Sequence, residues 1–291
     1  MRVPTSNPIA SILLTTYNQP RALDFALEGY ARQSRMDFEV LIADDGSGPE
    51  TAKVIEAHAA DYPVRLVHVW QPDDGFHKTR AVNRAALQSR GPYLILSDGD
   101  CIPSRDHVAM HLAARRPSRF IVGGHVRLSA GETAALTRED VASGHFETLI
   151  TEKERRRARF IHLKSLLYIA LNLRRKPKCY GTNFSVSRED FFRVNGFDEN
   201  YRNAGREDSD LRNRLQLAGL RAISLWHRNG VFHQYHPSHV TRLIWTEVDR
   251  YYNRPDITPE APLGLRELAR ELAQAEAQDS DDGRETDTKA L

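Results

Sequence analysis

The chain has 291 residues, 40% of them hydrophobic and 27% charged, with a net charge of +2. That length suits one large domain or two modest ones, and the balance is that of an ordinary water-soluble fold. So small a net charge excludes a polyanion partner engaged by bulk electrostatics, and it leaves the distribution of charge as the informative quantity.

The opening "MRVPTSNPIA" lacks the apolar core of a signal peptide, and no uninterrupted apolar stretch reaches the roughly 18–20 residues of a membrane span. Cys101 and Cys179, the two cysteines, lie far apart. Two distant thiols without a leader point to a reducing, cytoplasmic compartment and not to a disulfide framework.

"IASILLTTYN" predicts a buried strand, and "PRALDFALEGYARQ" a helix with Pro20 in its first turn. "FEVLIADDGSG" predicts a second strand, "PETAKVIEAHAADY" a second helix and "VRLVHVW" a third strand. "KTRAVNRAALQSR" then reads as a third helix and "YLILSDGD" as a fourth strand. Strands alternating with helices predict a mainly parallel α/β sheet covered on both faces. Ligands in such sheets gather at the carboxyl ends of the strands. Four polar clusters fall there: Thr15–Tyr17, Asp44–Asp45, Asp73–Arg80 and Asp98–Asp100.

"RFIVGGHVRLS" reads as one further strand. Residues 153–178 then hold ten Lys and Arg against one acid, Glu154, with Phe160, Leu163, Leu166, Leu167, Ala170 and Leu173 at roughly helical spacing. "EDSDLRNRLQLAGL" predicts an amphipathic helix with an acidic start. "AISLWHRNGVFHQYHPSH" reads as strand-like and ends in histidines; from about residue 276 the polar, acidic tail reads as disordered. The divisions drawn from this pattern are 1–124, 125–180 with the basic helical insertion, 181–255, and 256–291.

Several clusters admit two readings. Asp98–Gly99–Asp100 is a turn after a strand, or a pair of carboxylates holding a divalent cation, with Gly99 allowing a ligand to approach. His233 and His236, with His239 beyond, are surface residues or neutral imidazole ligands completing a mixed site with Asp100. Glu207, Asp208 and Asp210 favour a helix N-terminus electrostatically, or one of them is a general base. His77, Lys78 and Arg80 open a helix where cations oppose the dipole, so they are solvated or face a bound phosphate. The basic stretch is a solvated face, a contact with an anionic membrane, or the entry for an acidic acceptor. No aromatic platform accompanies it, so nucleic acid is not expected.

From Pro8 to His239 the sequence resembles the family 2 glycosyltransferases, whose fold is GT-A. "PIASILLTTYN", "LIADDGSG", "KTR" and "SDGD" match that family's motifs in order and spacing. The resemblance implies a nucleotide-sugar donor, with Thr15, Tyr17 and Asp45 around the uridine. Arg80 would contact the nucleotide or diphosphate with Lys78 beside it among the donor-binding residues, Asp98 would touch the ribose or sugar, and Asp100 would bind Mn²⁺ or Mg²⁺. The second half is similar to the β4-galactosyltransferases and chondroitin-polymerase-type domains: "GREDSDL" falls on their acidic acceptor motif. That likeness implies Asp208 as the inverting base beside Glu207, and His233 or His236 as a further metal ligand. The motif's tryptophan is absent, with Asn203 and Arg206 in that region. The function implied is inverting, metal-dependent transfer to a glycan or glycolipid acceptor, as in bacterial surface polysaccharide synthesis. A sugar nucleotidyltransferase would need a glycine-rich loop after the first strand, and "TTYNQPRALD" has none. A non-catalytic nucleotide-sugar-binding protein is the alternative from another class.

Overall fold

The computed structural model describes residues 7–228, 230–237 and 242–287, with the backbone alone at 242–244 and from 279 onward. His239 and residues 288–291 of the acidic tail lie outside the described residues.

Four strands and three helices alternate first: β1 (Ala10–Thr16), α1 (Pro20–Ala31), β2 (Phe38–Asp44), α2 (Pro49–Ala59), β3 (Arg65–Trp70), α3 (Lys78–Gln88) and β4 (Tyr93–Asp98). Pro20 and Pro49 stand in the first turn of their helices, where a missing N–H costs nothing. The strands pair in parallel, with Thr15 opposite Asp98 and Thr16 opposite Asp44, so their carboxyl ends share one edge. β2 is buried along its whole length, including Glu39. That carboxylate is satisfied by the Ser11 hydroxyl at 2.6 Å, the Arg90 amide at 2.6 Å and the Arg65 guanidinium, as a buried charge requires.

The chain continues through β5 (Cys101–Pro103), α4 (His107–Ala114), β6 (Arg119–Val122), β7 (Val126–Arg127), α5 (Ala130–Ala135), α6 (Arg138–Ser143) and α7 (Glu152–Ala170). It closes with β8 (Phe184–Ser187), α8 (Arg188–Arg193), α9 (Glu207–Leu217), β9 (Arg221–Ser224), β10 (Val231–His233), α10 (Arg242–Tyr252) and α11 (Leu265–Asp287). The main sheet runs β3-β2-β1-β4-β8-β6-β9, and β8 is antiparallel to both its neighbours. A second, three-stranded sheet runs β5-β10-β7. The result is the GT-A arrangement: a mostly parallel seven-stranded sheet flanked by helices. One core, with Leu13, Leu41, Phe120 and Phe184, lies on one face; a second, with Ile12, Leu27, Ile42 and Ile95, lies on the other.

Three expectations change. The strand expected over "RFIVGGHVRLS" is two strands in different sheets, β6 and β7, parted at Gly123–Gly124. A side chain at Gly124 would overlap the Trp226 ring, and one at Gly123 the Asn183 amide. "AISLWHRNGVFHQYH" likewise divides into β9 and β10 around a 3-10 turn at Trp226–Arg228. The tail expected to be disordered from residue 276 continues α11 to Asp287. Its Asp, Ser and Gly residues are poor helix formers, but extending a helix already docked at Leu265 and Leu268 needs no new nucleus.

Candidate functional site

The carboxyl ends of β1, β2 and β4 open into a cleft of about 480 Å³. Thr15, Tyr17, Asp45, Lys78, Asp98, Asp100 and His236 line it together. Asp45 is buried at the end of β2; its carboxylate accepts from Gln71 at 2.7 Å and from the His77 amide at 2.9 Å. Burial pushes the Asp45 carboxyl up to about 6. Its neighbour Asp44 turns inward, where it accepts from the Ser47 amide at 2.8 Å and meets His68 at 2.7 Å. Tyr17 stands half exposed at the mouth, with its hydroxyl donating to Asp73 at 2.9 Å.

Lys78 is the centre of the cleft. Its ammonium is 2.8 Å from Asp98 and 3.8 Å from Glu207. Burial works against the charge, but the Asp98, Asp208 and Glu207 carboxylates outweigh it and hold Lys78 well above its ordinary value. Asp98 also accepts from the Thr15 hydroxyl at 2.7 Å, so β1 and α3 together fix the carboxylate. Gly99 lines the cleft and also serves the backbone: its amide donates to the Thr15 carbonyl at 2.6 Å, and a Cβ would stand 2.7 Å from that oxygen.

Arg80 does not line the cleft. One helical turn into α3, its guanidinium bridges Glu199 at 3.2 Å and Glu271 of α11 at 2.6 Å. The diphosphate contact expected of it is not available in this arrangement.

The second sheet builds the other side. β10 pairs antiparallel with β5 so that His233 lies opposite Cys101, next to Asp100. His233 Nε2 is 3.7 Å and His236 Nε2 is 3.2 Å from Asp100 Oδ2. The hydrogen bond to Asp100 pushes His236 up to about 9. Burial alone would raise the Asp100 carboxyl, yet the two imidazoles hold it below the usual range. One carboxylate with an imidazole on either side offers a donor set suited to Mn²⁺-type ions, so the residue types fit the cation implied by the resemblance. Asp100, Cys101 and His233 bring one donor atom each within 4.8 Å of one another, and His236 approaches Asp100 Oδ2 from outside that group. Cys101 is adjacent, but burial pushes its thiol well up, and the S–H donates to Asp100 at 3.4 Å. It orients the carboxylate rather than adding a thiolate.

Glu207 and Asp208 open α9 across Lys78 from Asp98. Arg206, at the N-cap in the left-handed region, makes no side-chain cap, and Glu207 accepts from the Gly205 amide at 2.8 Å. Asp208 Oδ2 accepts from the Gly181 amide at 2.8 Å, whereas Oδ1 is shielded from solvent and has no hydrogen-bond partner among the described residues. Burial pushes both carboxyls up, and in Glu207 the Asp208 charge adds to it. Asp210 is not a cap either. It is fully buried, 2.7 Å from Arg214 and 3.2 Å from Arg254.

Sequence patterns missed several neighbours. The His125 ring lies tilted against those of His233 and Tyr180, with centroids 5.3 Å and 5.0 Å away. Burial pushes its imidazole down to about 3. The Gly123–Gly124 pair before it was the available signal of a chain break in the strand. Trp245 of α10 lies 3.3 Å from where a Gly205 Cβ would be, and the Arg206 guanidinium sits 5.5 Å over its ring. No local pattern pointed to this tryptophan, 40 residues from the motif it covers.

The family model described as "Glycosyl transferase family 2" matches residues 11–178, and that described as "N-terminal domain of galactosyltransferase" matches residues 171–239. Validoxylamine A glucosyltransferase of Streptomyces hygroscopicus subsp. jinggangensis (strain 5008) is 27% identical over 283 residues, covering 87% of this chain and 63% of that one. The chain thus spans less than two thirds of that relative's length. Among solved structures, mannosyltransferase PcManGT from Pyrobaculum calidifontis, in complex with GDP-Man and Mn²⁺, superposes with a TM-score of 0.56 at 18% identity, over 94% of this chain and 77% of that one. S. aureus TarS 1–349 in complex with UDP gives 0.54 at 15%, over 89% and 68%.

Proposed function

Because this chain belongs to glycosyl transferase family 2, we propose that it moves a sugar from a UDP-sugar to a glycan or glycolipid acceptor in the cytoplasm, by one inverting displacement dependent on Mn²⁺ or Mg²⁺. The observation that carries this reading is the gathering of Asp98, at the end of β4, and of Glu207 and Asp208, at the start of α9, around the one ammonium of Lys78. Two relatives of the fold were solved with nucleotide ligands, GDP-Man and UDP, which supports a nucleotide-sugar donor here.

In this reading Asp45 and Tyr17 hold the base and Lys78 meets the diphosphate. A divalent cation at Asp100, His233 and His236 would offset the charge that builds on the departing diphosphate. Asp208 takes the acceptor's proton through Oδ1, the oxygen left without a partner. Its raised carboxyl, caused by burial, makes it a better proton acceptor than a solvated aspartate. Trp245, over Gly205, offers the acceptor an aromatic surface in place of the motif's missing tryptophan.

Calorimetry with UDP, with and without Mn²⁺, followed by a panel of UDP-, GDP- and TDP-sugars, tests the donor side. Metal-dependent binding and turnover are expected. Equal UDP affinity in chelator would remove the metal from the reading, and binding without turnover of any donor would favour a non-catalytic binding protein.

A further inference from the structure

α7 carries an apolar band that the described chain does not cover. Phe160, Leu163 and Leu167 recur at three- and four-residue spacing and are 65%, 64% and 56% exposed; Leu171, just past the helix end, is 59% exposed. That spacing puts them on one face, away from Ala158 and Ser165, the buried residues of the helix. A single exposed leucine is unremarkable in any fold. A continuous band about 16 Å long is not.

Both ends of the band are basic. Arg155, Arg156 and Arg159 precede it, and Arg174, Arg175, Lys176 and Lys178 follow. Of these, Arg156 alone has a carboxylate partner among the described residues, Glu152 at 3.2 Å. Glu154, the other acid of the helix, is taken up by the capping box with Thr151.

We propose that this face docks on an anionic lipid bilayer. The apolar band enters the headgroup boundary, and the cations on either side of it meet lipid phosphates. Charge decides between a bilayer and a second copy of the chain. A second copy would bring the same cations against themselves, with both acids of α7 already engaged, whereas a bilayer supplies the missing anions. The inner edge of the same helix, Ala158 and Ile161, walls a shallow cleft with Tyr180, Trp226 and His125. His125 is in ring contact with His233, so docking would hold the candidate site at headgroup level. This suits a lipid-carried acceptor, and that clause rests on the glycosyltransferase reading.

Co-sedimentation of the full chain with phosphatidylglycerol–phosphatidylcholine vesicles, against phosphatidylcholine alone, tests the surface. Partition onto anionic vesicles should be about tenfold stronger or more and should fall with salt. The double variant L163Q/L167Q should lose about tenfold in partition. R155E/R156E/R159E should lose the preference for anionic lipid. Both variants should keep wild-type melting and UDP–Mn²⁺ binding. If the wild type ignores both vesicle types while binding UDP–Mn²⁺, docking is wrong and the transferase reading stands. If it docks but binds no nucleotide, only the transferase reading falls. If light scattering shows a dimer that L163Q/L167Q splits, with no vesicle partition, the face belongs to a second copy and the proposal is overturned.

Discussion

The Gly181 amide donates to Asp208 Oδ2 at 2.8 Å, and the other oxygen, Oδ1, lies 2.5 Å from where a Gly181 Cβ would be. One backbone residue thus orients the carboxylate proposed as base and, by having no side chain, leaves room for it. The two residues are 27 apart in sequence, and nothing in the spacing of either motif announces their contact.

Gly181→Ala follows from that contact. The obstructed atom is the end of a side chain, so the carboxylate rotates away and the fold survives. Transfer should drop by roughly 10²–10⁴-fold, the usual worth of a positioned base, while UDP–Mn²⁺ affinity stays within a few-fold. Single-turnover transfer beside calorimetry checks it; wild-type transfer would mean the present carboxylate orientation is not the working one.

Asp208→Asn and Asp210→Asn separate chemistry from packing. The first keeps size and the Gly181 contact but cannot take a proton at neutral pH, so transfer should fall roughly 10²–10⁴-fold with little change in melting. The second weakens a fully buried pairing with Arg214 and Arg254. It should cost roughly 3–5 kcal/mol of stability, as loss of a buried partner does. If Asp208→Asn transfers at the wild-type rate, Glu207 becomes the candidate base.

Asp100→Ala should abolish the Mn²⁺ dependence of UDP binding. His233→Ala and His236→Ala should each weaken Mn²⁺-supported binding, by about tenfold or more, since even residues that only support a ligand cost 10–100-fold. Titration of Mn²⁺ into each variant at fixed UDP measures this. A histidine whose removal leaves the titration unchanged is not a ligand.

Arg80→Gln tests a placement. The guanidinium is held by Glu199 and Glu271, so the variant should lose about 1 kcal/mol of stability, with one partner exposed. UDP affinity should stay within about twofold, a change of roughly 0.4 kcal/mol. A large loss of UDP affinity would show that α11 releases Arg80 to the donor.

Acid should destabilise the fold through His107 and His111. His111 is buried between Ser185 at 2.7 Å and Asn183 at 2.8 Å, and its ring lies 4.7 Å from that of His107. Burial pushes His111 down to about 4 from 6.5 and His107 well below its ordinary value. Above pH 6.5 both are neutral in either state. Below it, the unfolded chain takes up protons that the folded chain refuses, so stability falls as pH drops from about 6.5 towards 4. The slope is at most about 1.4 kcal/mol per pH unit for each histidine. Melting at pH 7, 6 and 5 should show the decline, and His111→Gln should make it shallower. A flat profile would contradict it.

The first hundred residues were legible because their signal is local. Apolar runs in β1, β2 and β4 end in polar clusters, and α1 and α3 repeat at helical spacing, so the parallel sheet and its polar edge follow from the sequence. β5 and β8 were not legible: three and four residues carry too little pattern, and β8 acquires its role from long-range pairing with β4 and β6. Arg80 shows the same limit in the site. Its sequence position fits a phosphate contact, and its actual partner Glu271 is 191 residues away. The acids opening α9 looked alike in sequence, yet Asp208 accepts from the Gly181 amide beside Lys78 while Asp210 is neutralised in the core by Arg214 and Arg254. Only tertiary packing distinguishes them.

β10 has three residues and is bonded on both edges, to β5 and to β7. Just beyond it the Gln234 amide donates to the Asp100 carbonyl at 2.8 Å, and its side chain donates to the Ala22 carbonyl of α1 at 3.1 Å. The segment cannot leave the sheet without carrying an imidazole away from Asp100. If a cation binds there as proposed, ordering of the strand and occupancy of the ligand cluster are linked. Free energy supplied by such a cation would appear as strand stability, and looseness along the strand would be felt as weakened affinity at atoms the loosened residue never touches.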